Sequence, residues 1–424
     1  MSANASVFQG IQIGLPTSLG GAAQCKYRLR GTGITLQPDD PIEPFTPIGS
    51  KAATVGVPLK RKSMGDINGV ACYNDVLFLL AAVGTKPTKS TPGGATDTRR
   101  YAATCKSYTG DDPQILAGLN GQLGYESITK ALLVNSLGMT FDGDNSPEVT
   151  GNVVGKLLYD GQSFILDLDG ATGGTFAYTI GGQTDASEVF NVTAAALKTS
   201  IEALSNIAAD GCEVDLISAG VYRVFITDPA HFGTLLTVSV DGTNLTGGGG
   251  VETFLSEASD TLRTDIQEIP IAPGDVCIYL ADAYADIASG KLSRSDRVTF
   301  DIGDRFSIQN FLDCAEESWS DFVERAHTKT GELMIEHDSD AVQLRADIRD
   351  GAVRYLRIEA TGAVIEGAFN YKMTLDLPVI FSNSSRDDSD DLMVGQFPFE
   401  IADGSDISGW LKFVIDTDLD LAEF

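Results

Sequence analysis

Carboxylates at short spacing are the residues of this chain that could hold a metal or catalyse hydrolysis. The stretch DGDNSPE places oxygen-bearing side chains at Asp142, Asp144, Asn145 and Glu148, and Ca²⁺ takes about six to eight oxygen ligands. The stretch lacks the spacing and the final bidentate carboxylate of a complete calcium loop, so a plain turn is the preferred interpretation. Paired acids such as Asp142 and Asp144 also serve glycan hydrolysis, but nothing in the sequence positions a substrate beside them.

Signatures of other catalytic classes are missing from the sequence. The chain has three histidines, His231, His327 and His337, and no metalloprotease, nucleophile-elbow, phosphate-loop or dinucleotide motif. Cys314 and His327 are not joined by any catalytic motif, and the six cysteines have no metal-binding spacing. They are typical of reduced, mostly buried residues of a protein made in the cytoplasm. We therefore expect no enzyme activity, no metal and no cofactor.

The basic residues are concentrated near the start of the chain, where they include the cluster Lys60, Arg61 and Lys62. Residues 1–110 contain 12 Lys+Arg and 6 Asp+Glu, whereas residues 111–424 contain 18 and 53. Complementary surface potentials steer docking and fix its register, so this division favours a protein that stacks on copies of itself. The excess acid keeps a particle soluble and repels other polyanions. A nucleic-acid-binding protein would instead need several cations on one face.

Two predicted elements, a loop and a helix, lie before and after this cluster in the sequence. Four prolines in LQPDDPIEPFTPIG rule out a helix interior or a central strand. Residues 37–62 are therefore predicted to form a long exposed loop that ends in the basic cluster. The following YNDVLFLLAAVG predicts a short buried helix, with Asn74 or Asp75 as its cap and Gly84 at its end.

Most of the remaining pattern predicts strands. Strands are expected around 102–108 and 131–141, and residues 369–377 alternate apolar with polar or small residues, as a half-buried strand does. The segment WLKFVI predicts a closing strand near the end of the sequence. One amphipathic helix is predicted near 311–327, and the acidic run DDSDD at 387–391 is predicted to be a solvated loop.

The pattern of apolar and polar residues changes between about 162 and 250, where it predicts the element order β-β-α-β-β-β. In the predicted helix, apolar residues from Ala194 to Leu204 recur at three- and four-residue steps, and Asn191 or Thr193 precedes it as a cap. Four glycines at 247–250 predict a flexible joint. We infer three segments, 1–158, 159–252 and 253–424, of which the second is an inserted α+β accessory domain. A separate domain on such a joint should be replaceable by a short Gly/Ser linker.

Several stretches of the chain resemble the tail tube (major tail) proteins of long-tailed bacteriophages. These stretches are KRKSMGDINGVACYNDVLFLLAAVG (60–84), SYTGDDPQILAG (107–118), KALLVNSLGMTFDGD (130–144), GKLSRSDRVTFDIGDRF (290–306), VRYLRIEATGAVIEGAFNYKMTLDLPVI (353–380) and FPFEIADGSDISGWLKFVIDTDLDL (397–421). The order of elements is similar to that family along 20–155 and 255–420, about 70% of the chain. The insertion resembles a small accessory domain recurrent among phage virion proteins.

The resemblance implies a mainly β tail-tube sandwich or barrel with a short flanking helix and a long loop that reaches the neighbouring ring. It implies a structural virion protein that self-assembles into stacked, homohexameric rings, although the sequence itself does not set the ring symmetry. DNA would pass through the lumen without specific binding. The implied partners are copies of the same chain and other tail proteins, such as the tape measure and tail terminator, and the implied site is the stacking loop with Lys60, Arg61 and Lys62.

Two other interpretations stay open at the level of sequence. A receptor- or carbohydrate-binding tail protein or a capsid decoration protein would form discrete oligomers in place of tubes. A glycan hydrolase would use the paired acids described above. The longest uncharged apolar run, Val76–Val83, is far shorter than the roughly 20 residues that cross a bilayer. We therefore expect no membrane partner. The resemblance to tail tube proteins implies a location in the virion, after synthesis in the host cytoplasm.

Overall fold

A computed structural model describes residues 10–19, 21–48, 51–107, 110–122, 125–185, 187–248, 253–255, 264–312, 314, 316–389, 392–422 and 424. Within these residues the chain is built mostly from antiparallel strands, which confirms the predicted mainly β fold class. No helix in the described ranges is both long and apolar enough to cross a membrane.

The regular elements are listed here in chain order. The first segment contains β1 (Gly10–Gly14), β2 (Tyr27–Arg28), β3 (Thr32–Ile34), β4 (Gln37–Asp39), β5 (Ile42–Phe45), β6 (Val55–Pro58), β7 (Lys62–Val70), α1 (Tyr73–Val83), β8 (Thr88–Ser90), β9 (Arg99–Cys105), β10 (Leu116–Gln122), β11 (Tyr125–Asp142) and β12 (Glu148–Gly155). The middle segment contains β13 (Leu158–Asp167), β14 (Gly173–Ile180), β15 (Gln183–Thr184), β16 (Glu188–Val189), α2 (Ala194–Glu202), β17 (Cys212–Ser218), β18 (Val221–Ile226), β19 (Val238–Asp241) and β20 (Leu245–Thr246). The last segment contains β21 (Thr253–Leu255), β22 (Thr264–Asp265), β23 (Val276–Ala281), β24 (Ser295–Ile302), β25 (Phe306–Gln309), β26 (Asp321–Glu324), β27 (Lys329–Glu336), α3 (Ser339–Asp347), β28 (Arg354–Glu366), β29 (Phe369–Phe381), β30 (Ser385–Ser389), β31 (Leu392–Ile401) and β32 (Leu411–Thr417).

Two runs of antiparallel strands enclose the main core. The first run has the order β7–β12–β11–β24–β27–β31. The second has the order β23–β28–β29–β32–β9–β8. Pairing of Val379 in β29 with Ile401 in β31 joins the two runs. Their inward side chains, among them Phe300, Phe397 and Phe413, share one hydrophobic core with α1.

Helix α1 is buried along its whole length, as its apolar sequence predicts. It begins after Cys72 and ends where Gly84 donates its N–H to the carbonyl oxygen of Leu80 at 2.8 Å, so the predicted end at Gly84 is confirmed. The predicted caps Asn74 and Asp75 are wrong, because both lie inside the helix and face tertiary partners.

The polar side chains of α1 are used to bind segments distant in the sequence. Asn74 accepts a hydrogen bond from the hydroxyl of Thr417 in β32. The Asp75 carboxylate accepts the backbone N–H groups of Gly31 and Thr32, both at 2.9 Å. A buried polar side chain must find such partners, and here they outweigh local capping.

A second hydrophobic core lies within the middle segment. It contains side chains between Phe164 and Leu236, and α2 covers it with Leu197 and Ile201. Thr193 caps α2, with its hydroxyl oxygen accepting the N–H of Ala196 at 3.2 Å, as one of the two predicted alternatives. The observed elements follow the predicted β-β-α-β-β-β order with three short strands added, β15 and β16 before the helix and β20 at the end. The division at 159 and 252 stays a prediction.

The middle segment is joined to the rest of the chain by a shared strand and a shared apolar cluster. Strand β13 pairs with β11 at its start and with β18 along its remaining length. Phe225 of β18 packs with Leu119, Ile128 and Cys25 of the first segment. Of the predicted joint at 247–250, residues 249 and 250 lie outside the described residues.

Three further predictions need correction. Residues 37–62 are not an irregular loop, since they contain β4 and the hairpin β5–β6. The strand prolines Pro38, Pro44 and Pro58 are tolerated because these strands are exposed, and proline is found in sheets mainly on edge strands. The helix predicted at 311–327 is wrong for the described residues there, which include β26. A helix, α3, does occur further along the chain, after β27. The predicted loop at 387–391 has residues 387–389 in β30, and residues 390 and 391 lie outside the described part.

Candidate functional site

The hairpin β5–β6 carries apolar side chains that remain in contact with solvent. We call residues 41–59 the arm. Its two strands pair from Ile42 opposite Pro58 to Phe45 opposite Val55, and every residue in them is exposed. The exposed apolar residues of the arm are Ile42 (65%), Phe45 (55%), Ile48 (fully exposed), Val55 (59%), Val57 (45%) and Leu59 (46%). The register places Phe45, Val55 and Val57 on one face of the hairpin and Ile42 on the other. Because exposed apolar patches mark interaction surfaces, the arm is a candidate docking element.

The predicted basic residues lie where the arm joins the body of the protein. We call residues 39–40 and 60–62 the neck. Each of the three basic side chains is held within the same chain, two by carboxylates and one by a main-chain carbonyl oxygen. The contacts are Lys60 Nζ to the carbonyl oxygen of Glu316, Arg61 Nε to Asp40 at 3.0 Å, Arg61 Nη1 to Glu317 at 3.3 Å, and Lys62 Nζ to Asp39 at 3.3 Å. The hydrogen bond to Asp40 raises the pKa of Arg61.

Residues 316–319, which receive the neck, are anchored by Trp319. We call this segment the platform. The indole of Trp319 is fully buried and donates its N–H to the carbonyl oxygen of Gly155 at 2.8 Å. Lys156 forms an ion pair with Glu316 at 2.9 Å and lies 5.5 Å from the centre of the Trp319 ring. The platform is therefore fixed to the end of β12, and the neck is fixed to the platform.

A polar surface begins where the neck enters β7. It is the outward side of the six strands β7, β12, β11, β24, β27 and β31, and we call it the polar face. One row of paired positions crosses it from Asn68 through Thr150, Gly138, Asp301 and Thr330 to Glu400. The adjacent row contains Glu148, Thr140, Thr299 and Glu332. The alternate residues point inward to the core, as period-two alternation requires.

The polar face is acidic. Its carboxylates include Asp66, Glu148, Asp301, Glu332 and Glu400. Basic side chains at its ends are paired, Arg297 with Asp142 at 3.0 Å and Lys62 with Asp39 at 3.3 Å.

A shallow groove of about 300 Å³ crosses its centre, lined by Gly138, Thr150, Thr299, Asp301 and Gly331 among others. Burial, with a contribution from the nearby Asp304 carboxylate, raises the pKa of Asp301. An acidic surface of this kind repels polyanions.

The geometry around Asp142 favours the turn over a metal or hydrolytic site. Its carboxylate accepts the N–H of Asp144 at 2.9 Å and binds Arg297, and these contacts lower the pKa of Asp142. A general acid needs a raised pKa, so Asp142 is poorly suited to protonate a leaving group. In the described ranges no group of three or more His, Cys, Asp and Glu residues is arranged to hold a metal.

Comparisons with known proteins add little to this geometry. No protein-family model matches the chain, and no curated protein matches it. Among solved structures, a protein of Mycobacterium phage Patience is similar to it at 16% sequence identity, over 52% of this chain and 80% of that chain, with a TM-score of 0.18. A TM-score this low does not establish a shared fold.

Sequence reasoning located the arm but missed its apolar character. The signal was present: apolar residues recur on both sides of its turn, at Ile42, Phe45, Val55 and Val57. The polar face was also visible in part, as the alternation of Asp66 and Asn68 with buried Ile67. Which strands lie beside each other depends on long-range pairing, which no local pattern contains.

Proposed function

We propose that this chain is a structural protein of a bacteriophage virion that assembles with copies of itself into stacked rings and so forms the tail tube. The observation that carries the proposal is the exposed apolar arm, in the position where the sequence resemblance implies a stacking loop. The acidic polar face suits the wall of a channel through which DNA moves without binding. Expected partners are copies of the chain and other tail proteins, such as the tape measure and tail terminator, and no catalytic role is proposed.

The energetics favour cooperative assembly over a simple dimer. Burial of the six apolar side chains of the arm, five of them about half exposed and Ile48 fully exposed, contributes roughly 5–10 kcal/mol per arm. Association costs about 4–15 kcal/mol in lost rotational and translational freedom. One arm is therefore marginal by itself, whereas a ring of arms docks at the cost of a single association step. Head-to-tail contacts of this kind continue from layer to layer.

Electron microscopy of the purified full chain tests the proposal. The wild type should form rings or tubes, and a variant with Phe45→Ser and Val57→Ser should remain as folded subunits because its arm has lost apolar surface. Val364→Ser is the matched control, since Val364 is also an exposed strand valine, at 60%, but lies outside the arm. Discrete closed oligomers of the wild type would favour the decoration or receptor-binding alternative. Tubes formed equally well by the arm variant would contradict the role of the arm.

A further inference from the structure

We infer that Arg61 acts within its own chain as a positioning residue that sets the direction of the arm, and does not provide the contact to a neighbouring copy. The inference concerns the isolated subunit. It rests on the proposed function only for the use to which the arm is put.

Arg61 lies where three segments meet. Its guanidinium binds Asp40, just before the arm begins, and Glu317 of the platform, while Arg61 itself follows the end of the arm. Its backbone N–H also donates to the carbonyl oxygen of Glu317 at 2.9 Å, within a short parallel bridge to Ser318. One side chain therefore ties both ends of the arm to a segment that Trp319 anchors.

The arm depends on this junction for its direction. In the described part of the chain, β5 and β6 form a two-stranded sheet of their own and pair with no third strand. An isolated two-stranded hairpin is marginally stable and has no packing of its own to orient it. The side chains of Arg61, Asp40 and Glu317 are 43%, 46% and 69% exposed. Each ion pair is thus weak by itself, but both are made by the same side chain, Arg61, at the junction of the arm and the platform.

The rival role, a contact with carboxylates of another copy, makes a different prediction for charge reversal. If Arg61 acts within its own chain, the triple variant Asp40→Lys, Arg61→Glu and Glu317→Lys keeps both pairs with opposite polarity and keeps the arm in place. If Arg61 binds another copy, the same variant places a carboxylate opposite the acidic residues of that copy, and the two repel each other. Reversal of Arg61 alone is damaging under both roles and does not separate them.

Pulsed electron–electron double resonance on the dilute subunit measures the distance between a label on the arm and a label on the body, and so reports the direction of the arm. Spin labels are placed at Ile48→Cys near the arm tip and at Val364→Cys on the body, both exposed in the wild type. The partly exposed Cys277 and the exposed Cys314 are replaced by Ala, and the remaining four cysteines are buried. Arg61→Gln tests loss of the junction. Arg325→Gln is the matched control, because Arg325 has a similar exposure of 48% and pairs with Asp304 away from the neck.

We expect a narrow distance distribution for the wild type, for Arg325→Gln and for the triple charge-reversed variant. In Arg61→Gln the population in the wild-type position should fall by roughly fivefold, as expected for the loss of two exposed ion pairs. An unchanged distribution in Arg61→Gln overturns the inference, and so does a triple variant that stays as broad as Arg61→Gln. These outcomes do not depend on tube formation, so a wild type that never assembles would refute the proposed function and leave this measurement intact.

Discussion

At the scale of single residues, Glu366 shows how an exposed carboxylate holds a loop in place. It accepts the backbone N–H groups of Thr96, Asp97 and Thr98 at 2.9, 2.7 and 2.6 Å, and the hydroxyl of Thr96 at 2.6 Å. The Thr96 hydroxyl is the main cause that lowers the pKa of Glu366 from 4.5 to about 2, and the backbone N–H groups add to it. A carboxyl with a lowered folded pKa stabilises above its unfolded pKa.

That contribution should be lost as the pH falls from about 4.5 towards 2. We expect Glu366→Gln to speed amide hydrogen exchange at residues 96–98 at pH 7, because neutral Gln accepts these N–H groups more weakly. At pH 2 most of the difference between the variant and the wild type should have disappeared after correction for intrinsic rates, because about half of the Glu366 carboxyl is then protonated in the folded state. Glu148→Gln, an exposed acid on the polar face, is the control and should change nothing at 96–98. A difference that persists undiminished at pH 2 would contradict the assignment.

Asp75 presents the opposite case, because it is buried in α1. Burial raises the pKa of Asp75 to about 6, although backbone N–H groups, among them those of Thr32 and Gly31, oppose the shift. Its folded pKa lies above the unfolded value of 3.8, so the folded state binds the proton more tightly. The stability from this group is therefore fully present below about pH 4, falls as the pH rises to 6, and then stays level.

Asp75→Asn keeps an acceptor oxygen and removes the charge. Between pH 4 and 7 the wild type should lose up to about 3 kcal/mol of unfolding free energy through this group, and the variant should lose none of that part. Urea unfolding at both pH values measures the difference. Asp66→Asn, an exposed acid in β7, is the control and should follow the wild type. Parallel losses in Asp75→Asn and the wild type would show that Asp75 stays ionised in the fold.

At the scale of elements, the middle segment is bound more firmly than a glycine joint predicts. Its Ser163 donates a backbone N–H to the fully buried Glu126 at 2.6 Å, and its buried Arg223 donates to the carbonyl oxygen of Ala23. Replacing residues 162–250 by a Gly/Ser linker would leave Glu126 without this donor and would uncover Ile128. We therefore expect that deletion to destabilise the core, contrary to the expectation for a separate domain.

A single substitution tests this attachment with less disruption. Phe225→Ala should lower the unfolding free energy by about 3–5 kcal/mol, since it empties a site between β18 and the first segment. Phe232→Ala is the matched control, because Phe232 belongs to the same segment but is 47% exposed, and its effect should stay within about 0.5 kcal/mol. Denaturant unfolding measures both. Equal effects would mean that the Phe225 contact does not stabilise the fold.

The elements also show what local pattern can predict. The Thr193 cap and the Gly84 helix end depend on atoms within one helical turn, and both were predicted. The roles of Asn74 and Asp75 depend on partners at 417 and 31–32, which local reasoning cannot place. Residues 311–327 have a helix-like apolar spacing, but Trp319 is drawn into the core beside β12, and β26 forms instead.

At the scale of the whole molecule, part of the charge division is neutralised within the chain. Basic residues of the first segment pair with acids of the last segment. These pairs are Arg30 with Glu268, Arg61 with Glu317, Lys89 and Arg99 with Asp420, and Arg100 with Asp416. The division therefore serves folding as well as any stacking. On the polar face Asp142 is opposite Arg297. Within the described strands, its other named carboxylates, Asp66, Glu148, Asp301, Glu332 and Glu400, have no basic residue opposite them in the register, so their negative charge is not neutralised by a neighbouring strand.

The last prediction concerns this net charge. If the polar face lines a channel, a variant with Glu148→Lys, Asp301→Lys and Glu400→Lys should still assemble, because these side chains lie on the solvent side of the sheet. Its channel would carry a ring of lysines in every layer, and duplex DNA would bind them with release of counterions. Assembly in the presence of a labelled short duplex, followed by sedimentation, measures capture. The wild type should leave the DNA in the supernatant, and the variant should carry it into the pellet until salt is raised. The control makes the same charge change at Asp112, Asp350 and Asp406, which are exposed and lie off the polar face. Equal capture by the control would mean that total charge, and not the polar face, keeps DNA from binding.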